Sequence, residues 1–214
     1  IFYLVAALIS GVIQPGEHNS QPPWLTVHLL LLGAVTNAII TWTDHFARAL
    51  LWTRAANHRR QMVIIFLLNI SIVGILISVS TQIKSLTIFF ASLMVATIIY
   101  FLGGISIAIK RSINQRFMDL LRYYQFASFF LLVGITLGVI SSFQDHEDLM
   151  QPQLALAHLH ANLLGWVGIT VIGTLVTLWP TVLRTPMHPR AIRSAVIGSG
   201  FILTTDGYIM TNAH

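Results

Sequence analysis

Residues 86–109 read LTIFFASLMVATIIYFLGGISIAI, a run of 24 residues without a charged side chain. About 20 consecutive apolar residues are enough for an α-helix to cross a bilayer. Other long apolar runs occupy residues 24–52, 62–83, 123–143 and 154–183. A shorter run, residues 1–13, is interpreted as the surviving end of a first span. The sequence therefore predicts an all-α, polytopic transmembrane helix bundle of about six spans, the first one truncated.

The composition excludes a water-soluble domain. Only 9% of the 214 residues are charged, 55% are hydrophobic, and the mean hydropathy is +0.76. A soluble domain carries about 25% charged residues, so this chain cannot cover a surface that faces water. The chain has no cysteine, which excludes disulfides and thiolate metal sites. Any metal must therefore be held by histidine, methionine or oxygen ligands.

Eleven of the twelve Lys and Arg residues fall into three patches, and the patches occupy alternate gaps between the apolar runs. The patches are Arg48, Arg54, Arg59, Arg60; Lys110, Arg111, Arg116, Arg122; and Arg184, Arg190, Arg193. This alternation is the positive-inside pattern of a multi-pass protein, and it predicts a bacterial plasma membrane with the basic loops in the cytoplasm. Topology explains the basic pI, so the expected partner is the lipid bilayer and not nucleic acid. The sequence does not define an oligomeric state.

The second and sixth apolar runs in chain order (span 2, residues 24–52, and span 6, residues 154–183) share an internal repeat. The pattern H-x-x-L-L-G-x-V begins at His28 in span 2 and at His160 in span 6. Both spans run in the same direction, and each histidine lies a few residues inside the same end. Leucine is common in membrane helices, so chance alone is one reading of the repeat, although the shared histidine and glycine argue against it.

Three histidines lie at similar depth inside the predicted spans, namely His28, His158 and His160. Ionisable groups inside a bilayer are costly, so each is a candidate functional residue. Residues two apart on a helix point about 200° apart, so His158 and His160 serve different faces. We predict a cofactor site made by these three histidines and Asn162, which lies one helical turn after His158 and is placed to orient its ring. The alternative is that the histidines only bond backbone carbonyls of neighbouring helices.

The segment HLHANLLGW, residues 158–166, resembles the H-x-H-x-N-L-x-G-W signature of bacterial membrane proteins related to haem–copper oxidase subunit I. Residues 1–193 resemble an actinobacterial multi-spanning membrane protein that is distantly similar to the NnrS haem/copper membrane proteins. The resemblance implies a haem- or copper-binding respiratory or nitrogen-oxide component with a redox partner. It also implies that His28 and His160 bind the metal and that His158 faces a second centre. Gly33, Gly165 and Gly168 are expected to leave room for a flat macrocycle. A non-catalytic membrane anchor or a transporter-like half is the alternative function.

Residues 198–214, GSGFILTTDGYIMTNAH, resemble the first strands of HtrA/DegP-type trypsin-like serine proteases, with Asp206-Gly207 as a hairpin turn. The resemblance implies that His214 is the catalytic base. A triad also needs a nucleophile and an acid, and neither follows His214 in this sequence, so no catalytic site is complete. A truncated membrane-anchored protease, inactive as given, is therefore a further alternative. We divide the chain into a transmembrane domain (1–193) and a β-prone tail (194–214), and we interpret residues 196–200 as a junction between unrelated genes.

Overall fold

The computed structural model describes residues 1–13, 24–51, 58–111, 118–144, 150–183, 201–202 and 209–210. The first half of the bundle contains α1 (Phe2–Ile13), α2 (Trp24–His28), the π-helical segment π1 (Leu29–Val35), α3 (Thr36–Leu51) and α4 (His58–Ser80). The second half contains α5 (Lys84–Arg111), α6 (Met118–Phe143), α7 (Gln151–Leu159), the π-helical segment π2 (His160–Gly168) and α8 (Ile169–Val182). Residues 24–51 form one continuous helix, called span 2 below, and residues 151–182 form another, called span 6.

Five of the described helices are long and apolar enough to cross a membrane. They are Trp24–Phe46, His58–Ser80, Lys84–Lys110, Leu121–Phe143 and Gln151–Val176, with Phe2–Gly11 as a shorter apolar helix. Many large apolar side chains on their outer faces are exposed, among them Phe66, Phe89 and Phe129. Such faces are stable against lipid and not against water. The predicted all-α bundle of a multi-pass membrane protein, with a short first helix, is confirmed.

Helices that follow each other in the chain pack as antiparallel neighbours, because the connections are short. Only three residues separate α4 from α5, and the turn is closed by Gln82 with a left-handed φ of 58°. The backbone N–H of Ile83 donates to the carbonyl of Ser78 over 3.0 Å, which satisfies one of the last carbonyls of α4. Leu68 of α4 and Met94 of α5 are fully buried where these helices meet the rest of the core.

One basic side chain ties α4 to α5 at the end of the bundle where α4 begins. The Arg60 guanidinium donates to the carbonyls of Tyr100 (2.9 Å) and Phe101 (3.2 Å), and it lies 5.0 Å from the centre of the Tyr100 ring. A side chain on Gly104 would collide with this guanidinium, so glycine leaves the space that it occupies. Lys110 ends the apolar stretch of α5 at the same end of the bundle. Arg60 and Lys110, which belong to two different basic patches, therefore lie at the same end of the bundle.

Hydroxyl side chains in the core bond to their own helices. Ser71, Thr97 and Ser128 each donate to the carbonyl four residues earlier, over 2.7–2.8 Å. Thr170 and Thr174 of α8 do the same, both at 2.7 Å. These bonds satisfy polar groups where no water is present, so buried hydroxyls do not by themselves mark a polar path through the bundle.

Two asparagines form a reciprocal amide pair between span 2 and α4. Asn37 Nδ2 donates to Asn69 Oδ1 over 3.3 Å, and Asn69 Nδ2 donates to Asn37 Oδ1 over 3.0 Å. Each amide also donates to a carbonyl of its own helix, those of Gly33 and Ile65. Because both ends of the pair are partnered, it stabilises the contact between the two spans.

We expect Asn69→Leu to destabilise the protein by about 1 kcal/mol, within the range for hydrogen bonds between membrane helices. The double variant Asn37→Leu/Asn69→Leu should cost less than the sum of the two single variants, because each single change leaves an amide group without its partner. Equilibrium unfolding in mixed micelles measures these differences. Strictly additive losses would show that the two amides do not interact.

The tail contains two short antiparallel strands, β1 (Phe201–Ile202) and β2 (Ile209–Met210). Phe201 pairs with Met210 and Ile202 with Ile209. The pairing agrees with the β-prone tail expected from the sequence. The predicted turn at Asp206-Gly207, the junction at residues 196–200 and His214 lie outside the described residues. The likeness to a serine protease therefore stays a prediction.

Candidate functional site

The imidazole rings of His28 and His158 meet between spans 2 and 6. Their centroids are 6.1 Å apart and their planes differ by 21°. Both side chains are partly buried. The ring of His28 also stacks on Trp24, with 4.3 Å between centroids and 28° between planes. The fold therefore brings two of the three predicted histidines together, from helices that are far apart in sequence.

Each ring is held by a backbone carbonyl. Nδ1 of His28 donates to the Trp24 carbonyl, and Nδ1 of His158 donates to the Gly134 carbonyl of α6, both over 2.8 Å. A carbonyl oxygen can only accept, so the proton must lie on Nδ1. In the neutral ring, Nε2 then carries the free lone pair. Histidines that bind metals are usually held in this way, with the second nitrogen bonded to a carbonyl or carboxylate.

Two glycines of α6 leave room for the side chains that span 6 contributes to this site. A methyl group on Gly138 would lie 2.8 Å from Cε1 of His158, and one on Gly134 would collide with the Asn162 amide. These glycines, four residues apart, form a groove that receives His158 and Asn162, which are also four residues apart. The site predicted from the sequence does not include these two glycines. Their Gly-x-x-x-Gly spacing was the available signal, since it marks a close helix contact.

Asn162 lies against the ring of His158, as the sequence predicts. Its Nδ2 donates to the His158 carbonyl over 2.8 Å and lies 3.5 Å from Nε2 of the ring. The amide therefore occupies one side of the imidazole and restricts its rotation. Asn162 is placed to position the ring.

His160 turns to another side of span 6. Its Nδ1 donates to the Leu156 carbonyl over 2.8 Å, one turn earlier in the same helix. The resemblance to haem–copper oxidases implies a pair of His28 with His160, but the structure sets His28 beside His158. The physical reason is the helical phase, because two residues along span 6 change the direction of a side chain by about 200°.

The glycines expected to leave room for a macrocycle are in part covered by aromatic rings. A methyl group on Gly33 would meet the ring of Tyr3 at 2.6 Å, and Gly165 is covered in the same way by Phe130. The expectation of open space at these two positions is wrong, because α1 and α6 pack their aromatic side chains there. Next to Gly168 the nearest atom is the Leu163 carbonyl oxygen at 3.3 Å.

The described part of the chain contains no group of three or more His, Asp or Glu side chains that could hold a metal ion. Among the described residues, a metal bound at this place would receive two protein ligands, His28 and His158.

Span 2 and span 6 are joined by a second contact, which lies further toward their C-terminal ends than the histidines. Nε1 of Trp166 in π2 donates to Oγ1 of Thr36 in span 2 over 3.2 Å, and both residues are buried. Thr36, the first residue of α3, in turn donates to the Leu31 carbonyl of π1 over 3.0 Å. A side-chain hydrogen bond thus holds π2 to the residue that directly follows π1.

Replacing Trp166 with phenylalanine should destabilise the protein by about 0.6–1.7 kcal/mol, since it removes one hydrogen bond between membrane helices. It should also loosen the contact between spans 2 and 6. Unfolding in micelles measures the first effect. Thr36→Val is the matched variant, because it removes the other partner of the same bond, and a much smaller loss there would show that the bond is not the cause.

The chain matches no protein-family profile, no curated protein and no solved structure. The likeness to haem–copper oxidases therefore stays a prediction, and the site is argued below from its own geometry.

Proposed function

We propose that this multi-pass membrane protein binds a redox metal, as haem iron or as copper, at the His28–His158 pair. The observation that carries the proposal is the pair itself, two nearly parallel imidazoles 6.1 Å apart inside a membrane bundle. Bound haem or copper would supply one-electron chemistry. The proposed role is that of a respiratory or nitrogen-oxide-related component of the bacterial plasma membrane, with the basic loops in the cytoplasm.

The 6.1 Å between the ring centroids matches the separation of two imidazoles that share one metal ion, and binding requires each of these stacked rings to turn its Nε2 edge toward the metal. Imidazoles on opposite sides of a metal, with nitrogens about 2.0–2.1 Å from it, have ring centroids about 6 Å apart. Imidazole is a good ligand for both iron and copper. A copper ion needs only the space between the rings, whereas a haem must also displace side chains around it.

The protein contributes orientation and a fixed proton position. The Trp24 and Gly134 carbonyls keep the proton on Nδ1 of each ring and leave Nε2 as the ligand atom. Asn162 and the glycine groove prevent the His158 ring from turning away. Two neutral ligands leave the charge of the metal itself uncompensated, which is costly inside a membrane unless a macrocycle or a small anion supplies the balancing charge.

The test is an absorption spectrum combined with metal analysis of the purified protein in detergent. Haem gives a Soret band and one iron per chain, whereas copper gives one copper per chain without that band. Neither metal, after expression with haem precursor and copper supplied, would overturn the proposal. The bond from His158 to the Gly134 carbonyl would then be a contact between helices in a non-catalytic membrane anchor.

A further inference from the structure

The first helix of the chain is similar in sequence to α6. Residues 2–13 read FYLVAALISGVI, and residues 129–140 read FFLLVGITLGVI. Five of the twelve positions are identical when they are aligned without gaps, at Phe2, Leu4, Gly11, Val12 and Ile13. The helix that follows each of them carries the shared pattern H-x-x-L-L-G-x-V. The similarity therefore covers two consecutive helices, α1 with span 2 and α6 with span 6.

The two helix pairs also pack in the same way. In each pair an aromatic ring of the first helix covers the glycine of the shared pattern, Tyr3 on Gly33 and Phe130 on Gly165. Tyr3 and Phe130 occupy the same position in the alignment of the first helices. Both second helices are π-helical over this pattern, in π1 and π2.

A second pair of equivalent contacts lies about two helical turns away. A methyl group on Gly11 would meet Thr26 at 3.7 Å, and one on the aligned Gly138 would meet His158 at 2.8 Å. Thr26 and His158 occupy the same position in the second helices, two residues before the shared histidine. Two contacts between the first and second helix are thus equivalent in the two pairs.

The shared histidines have the same local geometry. His28 donates from Nδ1 to the carbonyl four residues earlier over 2.8 Å, and His160 does the same. The two helix pairs differ at the position two residues before this histidine. Thr26 donates to the Ser10 hydroxyl over 3.0 Å, whereas His158 extends to the Gly134 carbonyl and to the ring of His28.

We infer that α1 with span 2 and α6 with span 6 are two copies of one two-helix unit, and that position 26/158 determines which copy completes a metal-binding pair. The second part rests on the proposed function. Threonine at this position only joins two helices, whereas histidine offers a second imidazole to His28. The chain should therefore bind one metal and not two, although each copy carries the shared histidine.

The duplication is tested by exchanging segments in the full chain. Residues 2–13 are replaced by the sequence FFLLVGITLGVI of residues 129–140. The matched control carries the same twelve residues in reverse order, which keeps the hydropathy but puts leucine at position 11, against Thr26. The exchanged chain should be monodisperse and unfold only slightly below the parent, because leucine replaces Ser10 and removes its hydrogen bond with Thr26. The reversed chain should aggregate or unfold far below the parent. A failure of the exchanged chain, or equal behaviour of both, would overturn the duplication.

The role of position 26/158 is tested with His158→Thr, which installs the residue of the other copy. Metal content per chain should fall from one to below one tenth while the chain stays folded and monodisperse, because threonine occupies the equivalent position of the first helix pair. The unfolding midpoint should fall, because the bond to the Gly134 carbonyl and the bound metal are both lost. Retention of the metal would refute this role. If the parent itself binds no metal, the proposed function and the role of position 158 both fail, and the segment exchange still decides whether the unit is duplicated.

Discussion

Replacing His158 with alanine should abolish metal binding by the purified protein, and His28→Ala should have the same effect. Each variant removes one of the two protein ligands that the described part of the chain supplies. Changing a residue that merely orients a ligand costs about 10–100-fold in metal affinity, so loss of a ligand should cost at least about 100-fold. Metal content per chain and the intensity of the visible absorption measure this loss.

His160→Ala is the matched control for these variants. It removes an imidazole of the same helix, at similar depth, whose own Nδ1 is held by the Leu156 carbonyl. We expect it to keep the metal. Loss of metal in His160→Ala together with retention in His158→Ala would show that the pair implied by the haem–copper oxidase resemblance is the correct one and that the pair in the structure is not.

Gly138→Ala should destabilise the contact between α6 and α7 by about 1–3 kcal/mol, the usual cost of an extra methyl group in a well-packed core. The added methyl would lie 2.8 Å from Cε1 of His158, so the ring must move away from the Gly134 carbonyl. Metal affinity should then fall about 10–100-fold, as for other residues that position a ligand. Unfolding in micelles and metal titration measure the two effects separately.

Gly103→Ala provides the control for the same substitution. No atom lies within 4 Å of the position that its methyl group would take. Since alanine favours a helix over glycine by about 0.5–1 kcal/mol, this variant should be equal to the parent or slightly more stable. The two Gly→Ala changes should therefore have opposite signs, and a loss of stability shared by both would remove the steric explanation.

The spans could be predicted from the sequence because length and apolar content alone decide whether a helix crosses a membrane. The ends of the helices could not be predicted in this way. The apolar run of the third span begins at residue 62, whereas α4 begins at His58. Arg60 continues the helix beyond the apolar run because its guanidinium bonds carbonyls of α5. Hydropathy predicts where the apolar stretch of a span begins. The helix itself extends further, as far as polar contacts such as those of Arg60 stabilise it.

The histidines of the candidate site could be selected from the sequence because ionisable residues are rare in membrane helices. Which of them form a pair could not be predicted. That choice depends on the phase of span 6 against span 2 and on the groove at Gly134 and Gly138. Both are tertiary properties, and the aromatic rings that cover Gly33 and Gly165 are further contacts that a pattern along one helix does not contain.

The π-helical segments have a consequence for the evolution of this protein. A π-helical turn is closed by i→i+5 hydrogen bonds, so it accommodates one residue more than an α-helical turn. Deleting a single residue from π1 would convert the wide turn into an ordinary α-helical turn and leave His28 facing nearly the same direction relative to α3, because the extra residue is taken up within the wide turn. A change of one codon in length would thus be absorbed at this point of the chain, whereas the same deletion within α3 would turn the residues on its two sides by about 100° relative to each other.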